Sequence, residues 1–121
     1  MNKLPRVMML MMSSWLAVDV ARAEDGNQLY RDCAAPLTKP ESALCLGYVA
    51  GVIDALVAVQ ERQLSPRLIC LPEGIRVGIV KDVIQRHLEE HPEERKYEAA
   101  STIHAKLYEL WPCAKSAKPS D

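Results

Sequence analysis

The chain has 121 residues and a formal net charge of −1, so its length supports one domain. This charge balance lacks the basic excess that a nucleic-acid-binding surface requires. Four cysteines in so short a chain predict a small fold held by cross-links.

The N-terminal segment has the pattern of a secretory signal peptide. Lys3 and Arg6 give a basic start, residues 7–18 are apolar, and Ala-Arg-Ala at residues 21–23 matches an A-x-A cleavage site. We expect cleavage after Ala23, because the apolar run is short for an uncleaved membrane anchor. Cleavage removes three basic residues and one acidic residue, which changes the net charge from −1 to −3. The mature protein is expected to be soluble, without a membrane span, in the periplasm.

Two helices are predicted in the first half of the mature chain. The first spans residues 25–35 and ends before Pro36, because proline lacks a backbone donor. The second is expected from Pro40 to about Gln63. Its segment Cys45–Val59 is apolar on every side except for one carboxylate. A bilayer span needs about 20 apolar residues and tolerates few charges, so this segment is predicted to be a buried central helix.

Three residues in that central helix require a structural explanation. Gly47 and Gly51 lie four residues apart on one side of the helix, and each costs about 1 kcal/mol relative to alanine. We expect them to admit a neighbouring backbone at close range. Asp54 follows among apolar neighbours, and a buried carboxylate must be hydrogen-bonded or paired. It is therefore predicted to be a structural buried group that binds a backbone amide or an arginine.

Two more helices are predicted after a loop in which Pro66 prevents helix continuation. The third is expected over residues 72–91, because apolar residues recur along it every three or four positions. Pro92 disfavours helical angles in the residue before it, so the third helix ends there. The fourth helix is expected to start at Glu93 and to end at Pro112.

All four cysteines follow the cleavage site, at Cys33, Cys45, Cys70 and Cys113. An even count in a small exported domain predicts two disulfides. A zinc site is the alternative, but the chain has no C-x-x-C pair. Of three possible pairings, we favour Cys45 with Cys70, because an extended loop covers about 3.3 Å per residue and can return to the start of the helix. Cys33 then pairs with Cys113 by elimination.

These features together predict an all-α protein. The domain, residues 24–113, is expected to be a small four-helix, orthogonal or bundle-like fold with two disulfides. It lies between the signal peptide, residues 1–23, and a polar tail, residues 114–121, that we expect to be disordered.

Two patterns suggest catalysis and neither is favoured. The segment from His87 to His91 reads H-x-x-E-H, the inverted zinc-protease motif, but that motif needs a third ligand and a large cleft. A nucleophilic Cys70 or Cys113 with His104 would require a free thiolate, which disulfides exclude. We therefore predict no catalytic residue, no metal site and no cofactor.

Four short segments of the mature chain form an ordered set. They read C-L-G-Y-V-A-G-V-I-D-A at residues 45–55, I-C-L-P-E-G-I at 69–75, H-L-E-E-H-P-E at 87–93 and L-W-P-C at 110–113. In this order behind a signal peptide, they resemble the Rap/Tai family of immunity proteins. The resemblance implies an all-helical periplasmic protein, commonly a homodimer. Its implied partner is a peptidoglycan amidase toxin of type VI secretion, which cuts cross-bridges with a Cys–His pair and is inhibited when a protruding element fills its cleft.

Contacts with the toxin vary within that family, so contact residues are predicted from this sequence alone. Polar residues in the loop between the second and third helices are the first choice for the protruding element, and the acidic corner after the third helix is the second. The predicted contact residues are Arg62, Gln63, Ser65, Arg67, Glu89 and Glu90.

Two alternative functions remain open from the sequence. One is a periplasmic acid-stress or general chaperone without a toxin partner, which would protect unrelated proteins at low pH. The other is a small metalloenzyme that uses His87 and His91.

Overall fold

The computed structural model describes residues 23–114, and in that range it contains four α-helices and no strand. The elements are α1 (Gly26–Ala34), α2 (Pro40–Glu61), α3 (Val77–Glu90), a 3₁₀ helix (Pro92–Lys96) and α4 (Ala99–Leu110). The predicted all-α class is confirmed. The signal-peptide prediction and the disordered-tail prediction concern residues that lie, apart from Ala23 and Ala114, outside the described range.

Two helices start later than the sequence predicts. The residues before α3 form a turn in which Gly74 adopts a φ of 74° and the Ile75 N–H donates to the Pro72 carbonyl at 3.2 Å. The fourth helix starts at Ala99, not at Glu93. The cause is a contact distant in sequence, because the Tyr97 carbonyl accepts the N–H of Gly26 at 2.9 Å and extends the backbone there.

The hydrophobic core lies where the four helices meet, and each helix contributes to it. The third and fourth helices contribute stripes at the predicted spacing of three and four residues. The buried apolar residues are Leu29, Cys33, Cys45, Val49, Ile69, Val80, Ile84, Leu88, Ala99, Ile103 and Leu107.

Helix α2 contributes only one face to this core, so the prediction that it is buried on all sides is wrong. Cys45 and Val49 are fully buried, but Leu44 on the opposite side is 63% exposed. A Cβ added at Gly47 or Gly51 would meet no atom within 4 Å. The glycines therefore admit no backbone of the same chain, because the shorter helices cover one side of α2 only.

The prediction that Asp54 is a buried structural carboxylate is also wrong. Asp54 lies on the uncovered side of α2 and is exposed. Within residues 23–114 its carboxylate has no hydrogen bond or ion pair. Its apolar neighbours in sequence are themselves partly exposed. The high hydropathy of the segment therefore wrongly predicted that the Asp54 carboxylate is buried.

By length and mean hydropathy alone, α2 is also the one helix among the described residues that is suited to crossing a membrane. That criterion is weak for a single helix. In this fold α2 packs against the other helices through Cys45 and Val49, which are fully buried.

The two disulfides are confirmed, but their pairing differs from the prediction. Cys33 is bonded to Cys45 and Cys70 is bonded to Cys113. The start of α2 packs against α1, which brings the Cα atoms of Cys33 and Cys45 to 5.0 Å. The chain after α2 lies beside the last turns of α2 and pairs with the end of α4, so Cys70 meets Cys113 and not Cys45. The Cys70 N–H accordingly donates to the Trp111 carbonyl at 2.9 Å.

Candidate functional site

The segment that follows α2, residues 62–67, is mostly solvent-exposed, and we call it the exposed loop. Gln63 has a left-handed φ of 56°, and its N–H donates to the Gln60 carbonyl at 3.2 Å. The Leu64 N–H donates to the Val59 carbonyl at 2.9 Å. This hydrogen-bond pattern is a Schellman motif, which satisfies the last carbonyls of α2 and turns the chain away from the helix.

The Gln60 side chain closes the exposed loop at its base. Its Oε1 accepts the N–H groups of Leu68 and Ile69, both at 3.0 Å. Its Nε2 donates to the Ile69 carbonyl at 3.0 Å. Gln60 belongs to the polar segment Gln-Glu-Arg-Gln at residues 60–63, and nothing in its spacing indicates this role.

A second attachment fixes the chain where it leaves the exposed loop. Ile69 is buried and forms an isolated β-bridge with Pro112. The Cys113 N–H donates to the Leu68 carbonyl at 2.9 Å, next to the Cys70–Cys113 disulfide. Both ends of the exposed loop are therefore attached to the helical domain.

Four of the predicted contact residues lie in the exposed loop. Arg62, Gln63 and Arg67 are exposed, whereas Ser65 is half-buried. Sequence reasoning missed Leu64, whose side chain is 77% exposed between these polar residues. An isolated leucine in a loop carries no sequence pattern, so only its accessibility in the structure makes it a candidate contact residue.

The other predicted contact residues, Glu89 and Glu90, are exposed at the end of α3. Within residues 23–114, no hydrogen bond or ion pair joins them to the exposed loop. The Glu89 carbonyl accepts Nη2 of Arg95 at 3.4 Å. Arg95 also donates from Nε to the Leu88 carbonyl at 2.6 Å and lies over the Tyr30 ring at 3.7 Å. Arg95 therefore caps backbone carbonyls at the end of α3 and holds the 3₁₀ helix against it.

Histidines and carboxylates also meet at this corner. His87 Nε2 lies 2.8 Å from Glu94 Oε2, and His91 Nδ1 lies 3.2 Å from Glu93 Oε1. A backbone hydrogen bond at Glu93 and then the His91 side chain lower the pKa of the Glu93 carboxyl. The Glu90 carboxylate of the H-x-x-E-H motif is exposed and takes no part in these hydrogen bonds.

All four cysteines are in disulfides, so neither Cys70 nor Cys113 offers a thiolate to His104. A nucleophilic cysteine is thereby excluded.

The model of the Rap1a immunity proteins matches residues 25–113, from the start of α1 to the second disulfide. The chain belongs to the Rap1a immunity protein family. No curated protein and no solved structure matches it. The resemblance found in the sequence is confirmed at the level of the family. Membership implies an immunity protein that binds a secreted toxin, a class that is normally non-enzymatic. Together with two disulfides it indicates an extracytoplasmic protein.

This Rap1a-family domain has a second uncovered surface on α2, opposite the core. We call it the α2 outer face and define it by exposed residues of the helix, all small or apolar apart from one aspartate. They are Ala43, Leu44, Gly47, Gly51, Asp54, Ala55 and Ala58. Because large contiguous apolar patches often serve as interaction sites, the α2 outer face is a second candidate contact surface.

Proposed function

We propose that the chain is a periplasmic immunity protein that inhibits a peptidoglycan amidase toxin of type VI secretion. In this proposal the exposed loop enters the active-site cleft of the amidase and excludes the peptide substrate. The observation that carries it is an exposed loop attached at both ends, by Gln60 at its base and by the Cys70–Cys113 disulfide beyond it. A loop ordered before binding loses less conformational entropy when it is bound.

The side chains of the exposed loop suit insertion into a polar cleft with an apolar floor. Leu64 is the apolar group that insertion would bury, and full burial of a leucine side chain contributes about 1.5–3 kcal/mol. Arg62 and Arg67 flank it, and a guanidinium forms strong charge-assisted hydrogen bonds with carboxylates. Inhibition by occlusion requires no catalytic group from this chain.

The test starts from the genes beside this one, where we expect an amidase toxin to be encoded. Purified muropeptides are then digested by that amidase with increasing amounts of the mature chain, and the absence of such a gene would count against the proposal. We expect inhibition at one chain per amidase molecule. Leu64→Glu should weaken inhibition at least about tenfold, because an uncompensated carboxylate would enter the interface. Leu37→Glu is the matched control, since Leu37 is 87% exposed in the turn between α1 and α2.

Two results would count against the proposal in different ways. If the amidase stays fully active with excess wild-type chain, the amidase is not the target. If Leu37→Glu weakens inhibition as much as Leu64→Glu does, the exposed loop is not the inhibitory element.

We infer that export uses the N-terminal segment as a signal peptide cleaved after Ala23. The two disulfides support this location, because disulfides persist in oxidising compartments. Mass spectrometry of protein from the periplasmic fraction should show a mature N-terminus at Glu24. A full-length chain in the cytoplasmic fraction would contradict the inference.

We also propose that two copies pair through the α2 outer face. Gly47 and Gly51 would let two helices approach closely, which is the arrangement that small residues favour. Analytical ultracentrifugation should show a dimer that Ala58→Arg dissociates. Ala105→Arg, at an exposed alanine of α4, is the matched control and should remain dimeric. A wild-type monomer, or a dimer unaffected by Ala58→Arg, would refute this pairing.

A further inference from the structure

The corner between α3 and the 3₁₀ helix holds a group of side chains that inhibition of an amidase does not use. His87 lies in the last turn of α3 and His91 is the residue that caps this helix, with its N–H donating to the His87 carbonyl at 2.9 Å. Their ring centroids are 4.7 Å apart. Glu93 and Glu94 follow on the 3₁₀ helix. One ligand atom each from His91, Glu93 and Glu94 lies within 4.8 Å of the others. His87 joins this group through its 2.8 Å contact with Glu94.

We propose that His87, His91, Glu93 and Glu94 bind a divalent transition-metal ion of the zinc class. Two imidazoles and two carboxylates match the ligands that Zn²⁺ takes in proteins. Histidines four residues apart on a helix share a face and can bind one ion. Mg²⁺ and Ca²⁺ are expected to bind poorly, because they prefer sites made of oxygen ligands.

The backbone of the corner is held in place without an ion. Arg95 donates from Nε to the Leu88 carbonyl at 2.6 Å, which fixes the 3₁₀ helix against the end of α3. The same guanidinium lies 3.7 Å from the centre of the Tyr30 ring. The His87 side chain is only 13% exposed, which limits its orientations. The four side chains are therefore gathered by the fold, and only their outer torsions need to change.

Binding would replace two contacts between side chains with bonds to the ion. Nitrogen and oxygen ligands lie about 2.0–2.2 Å from zinc, so tetrahedral ligand atoms are about 3.3 Å apart. The ligand atoms of His91, Glu93 and Glu94 lie within 4.8 Å of one another, and His87 Nε2 lies 2.8 Å from Glu94. Binding therefore requires all four side chains to move closer by rotation of their outer torsions. The His87–Glu94 and His91–Glu93 hydrogen bonds already orient each imidazole toward a carboxylate.

Charged groups around the corner do not prevent a cation from binding there. On α4, Lys106 donates to Glu109 at 2.9 Å, which offsets its charge. Arg86 is exposed on α3, where its side chain can remain in water, and Glu90 adds a negative charge nearby. The ion competes with protons for the imidazoles, so binding weakens as the histidines become protonated.

This site is a closed structural centre and not the catalytic zinc of an inverted protease. That motif uses the glutamate inside H-x-x-E-H, which here is the exposed Glu90. The carboxylates at the corner come instead from Glu93 and Glu94, beyond the motif. With four protein ligands, no position remains open for an activated water. A bound ion would link α3 to the 3₁₀ helix and stabilise the folded state.

The test is isothermal titration of the untagged, chelator-treated mature protein with zinc chloride, followed by thermal unfolding with and without zinc. We expect one ion per chain and a higher Tm, with no such effect from magnesium. His91→Ala, at a side chain that is 44% exposed, should weaken binding at least about tenfold without unfolding the chain. His104→Ala is the matched control, because His104 is an exposed histidine of α4.

Glu93→Gln is a second variant that keeps the size of the side chain, and it should also weaken binding. The proposal is overturned if the wild-type chain binds no zinc. It is equally overturned if His91→Ala and Glu93→Gln both bind as the wild type does, or if His104→Ala loses as much affinity as His91→Ala. These outcomes are independent of amidase inhibition, which the titration does not measure.

Discussion

Gly26 lies at the start of α1, directly against the backbone of Arg95. A Cβ at this position would lie 2.7 Å from the Arg95 Cα and 2.9 Å from its carbonyl oxygen. The Gly26 N–H also donates to the Tyr97 carbonyl at 2.9 Å. The absence of a side chain at residue 26 therefore allows α1 to pack against the 3₁₀ helix.

Gly26→Ala should destabilise the fold by about 1–3 kcal/mol, because neither backbone segment can move away without losing hydrogen bonds. Gly78→Ala is the control, since a Cβ there meets no atom within 4 Å in α3. That change should be neutral or stabilising by up to about 1 kcal/mol. Urea unfolding midpoints of both variants measure the difference. Equal midpoints would show that the contact with Arg95 is not restrictive.

At the scale of single residues, the sequence shows which positions are polar or apolar. It does not show which of these positions other parts of the chain cover. Asp54 has apolar neighbours, yet it lies on a side of α2 that no other helix reaches. Gln60 belongs to a polar segment, yet its amide makes three hydrogen bonds to residues eight and nine positions away. Both environments are decided by contacts distant in sequence, which local patterns do not contain.

At the scale of helices, periodicity was informative where one face alone is apolar. Val80, Ile84 and Leu88 are buried at the spacing that defined α3 in the sequence. The long helix α2 is apolar on all sides, so its pattern could not show that one side lacks a covering helix. The start of α4 was missed because residues 97–99 pair with residues 24–26 rather than continue a helix.

The exposed loop depends on the amide of Gln60 for its attachment to α2. Gln60→Ala should free the N–H groups of Leu68 and Ile69 from their acceptor. We expect a loss of about 1–3 kcal/mol in stability, together with faster amide exchange at residues 68 and 69. Hydrogen exchange measured by NMR tests this.

The matched control for this variant is Gln85→Ala, whose side chain accepts one long contact of 3.4 Å from Lys81. Gln85→Ala should leave exchange at residues 68 and 69 unchanged. Exchange in Gln60→Ala that equals the wild type would mean that the disulfide alone holds the loop.

At the scale of the whole molecule, two disulfides join parts of the chain with different roles. Cys33–Cys45 closes a separation of 12 residues between α1 and α2. Cys70–Cys113 closes a separation of 43 residues and fixes the exit of the exposed loop. The expected export and the even number of cysteines predicted two disulfides. They did not predict the pairing, which follows from how α1 and the exposed loop pack.

Loop-closure entropy predicts about 3 kcal/mol for the first bridge and about 4 kcal/mol for the second. The double variant Cys70→Ala/Cys113→Ala should therefore lose more stability in urea unfolding than Cys33→Ala/Cys45→Ala. It should also lose more amidase inhibition at a temperature where both variants are folded. Equal inhibition by the two variants would show that the second bridge does not order the loop for binding.

In the proposals above, toxin binding and dimer formation use different surfaces of one small domain. The exposed loop follows α2 directly, so a dimer formed through the α2 outer face would carry two loops, one for each amidase. The family match spans all four helices, which places the loop and the helix in a shared domain.

The account depends most on the claim that the exposed loop lies inside the amidase cleft. Its most direct measurement is photo-crosslinking from Leu64→p-benzoylphenylalanine in the complex, with Leu37→p-benzoylphenylalanine as the control and mass spectrometry to map the sites. We predict cross-links from position 64 to residues around the catalytic cysteine of the amidase, and none from position 37. Cross-links from position 64 that map only to the outer surface of the amidase would contradict the account.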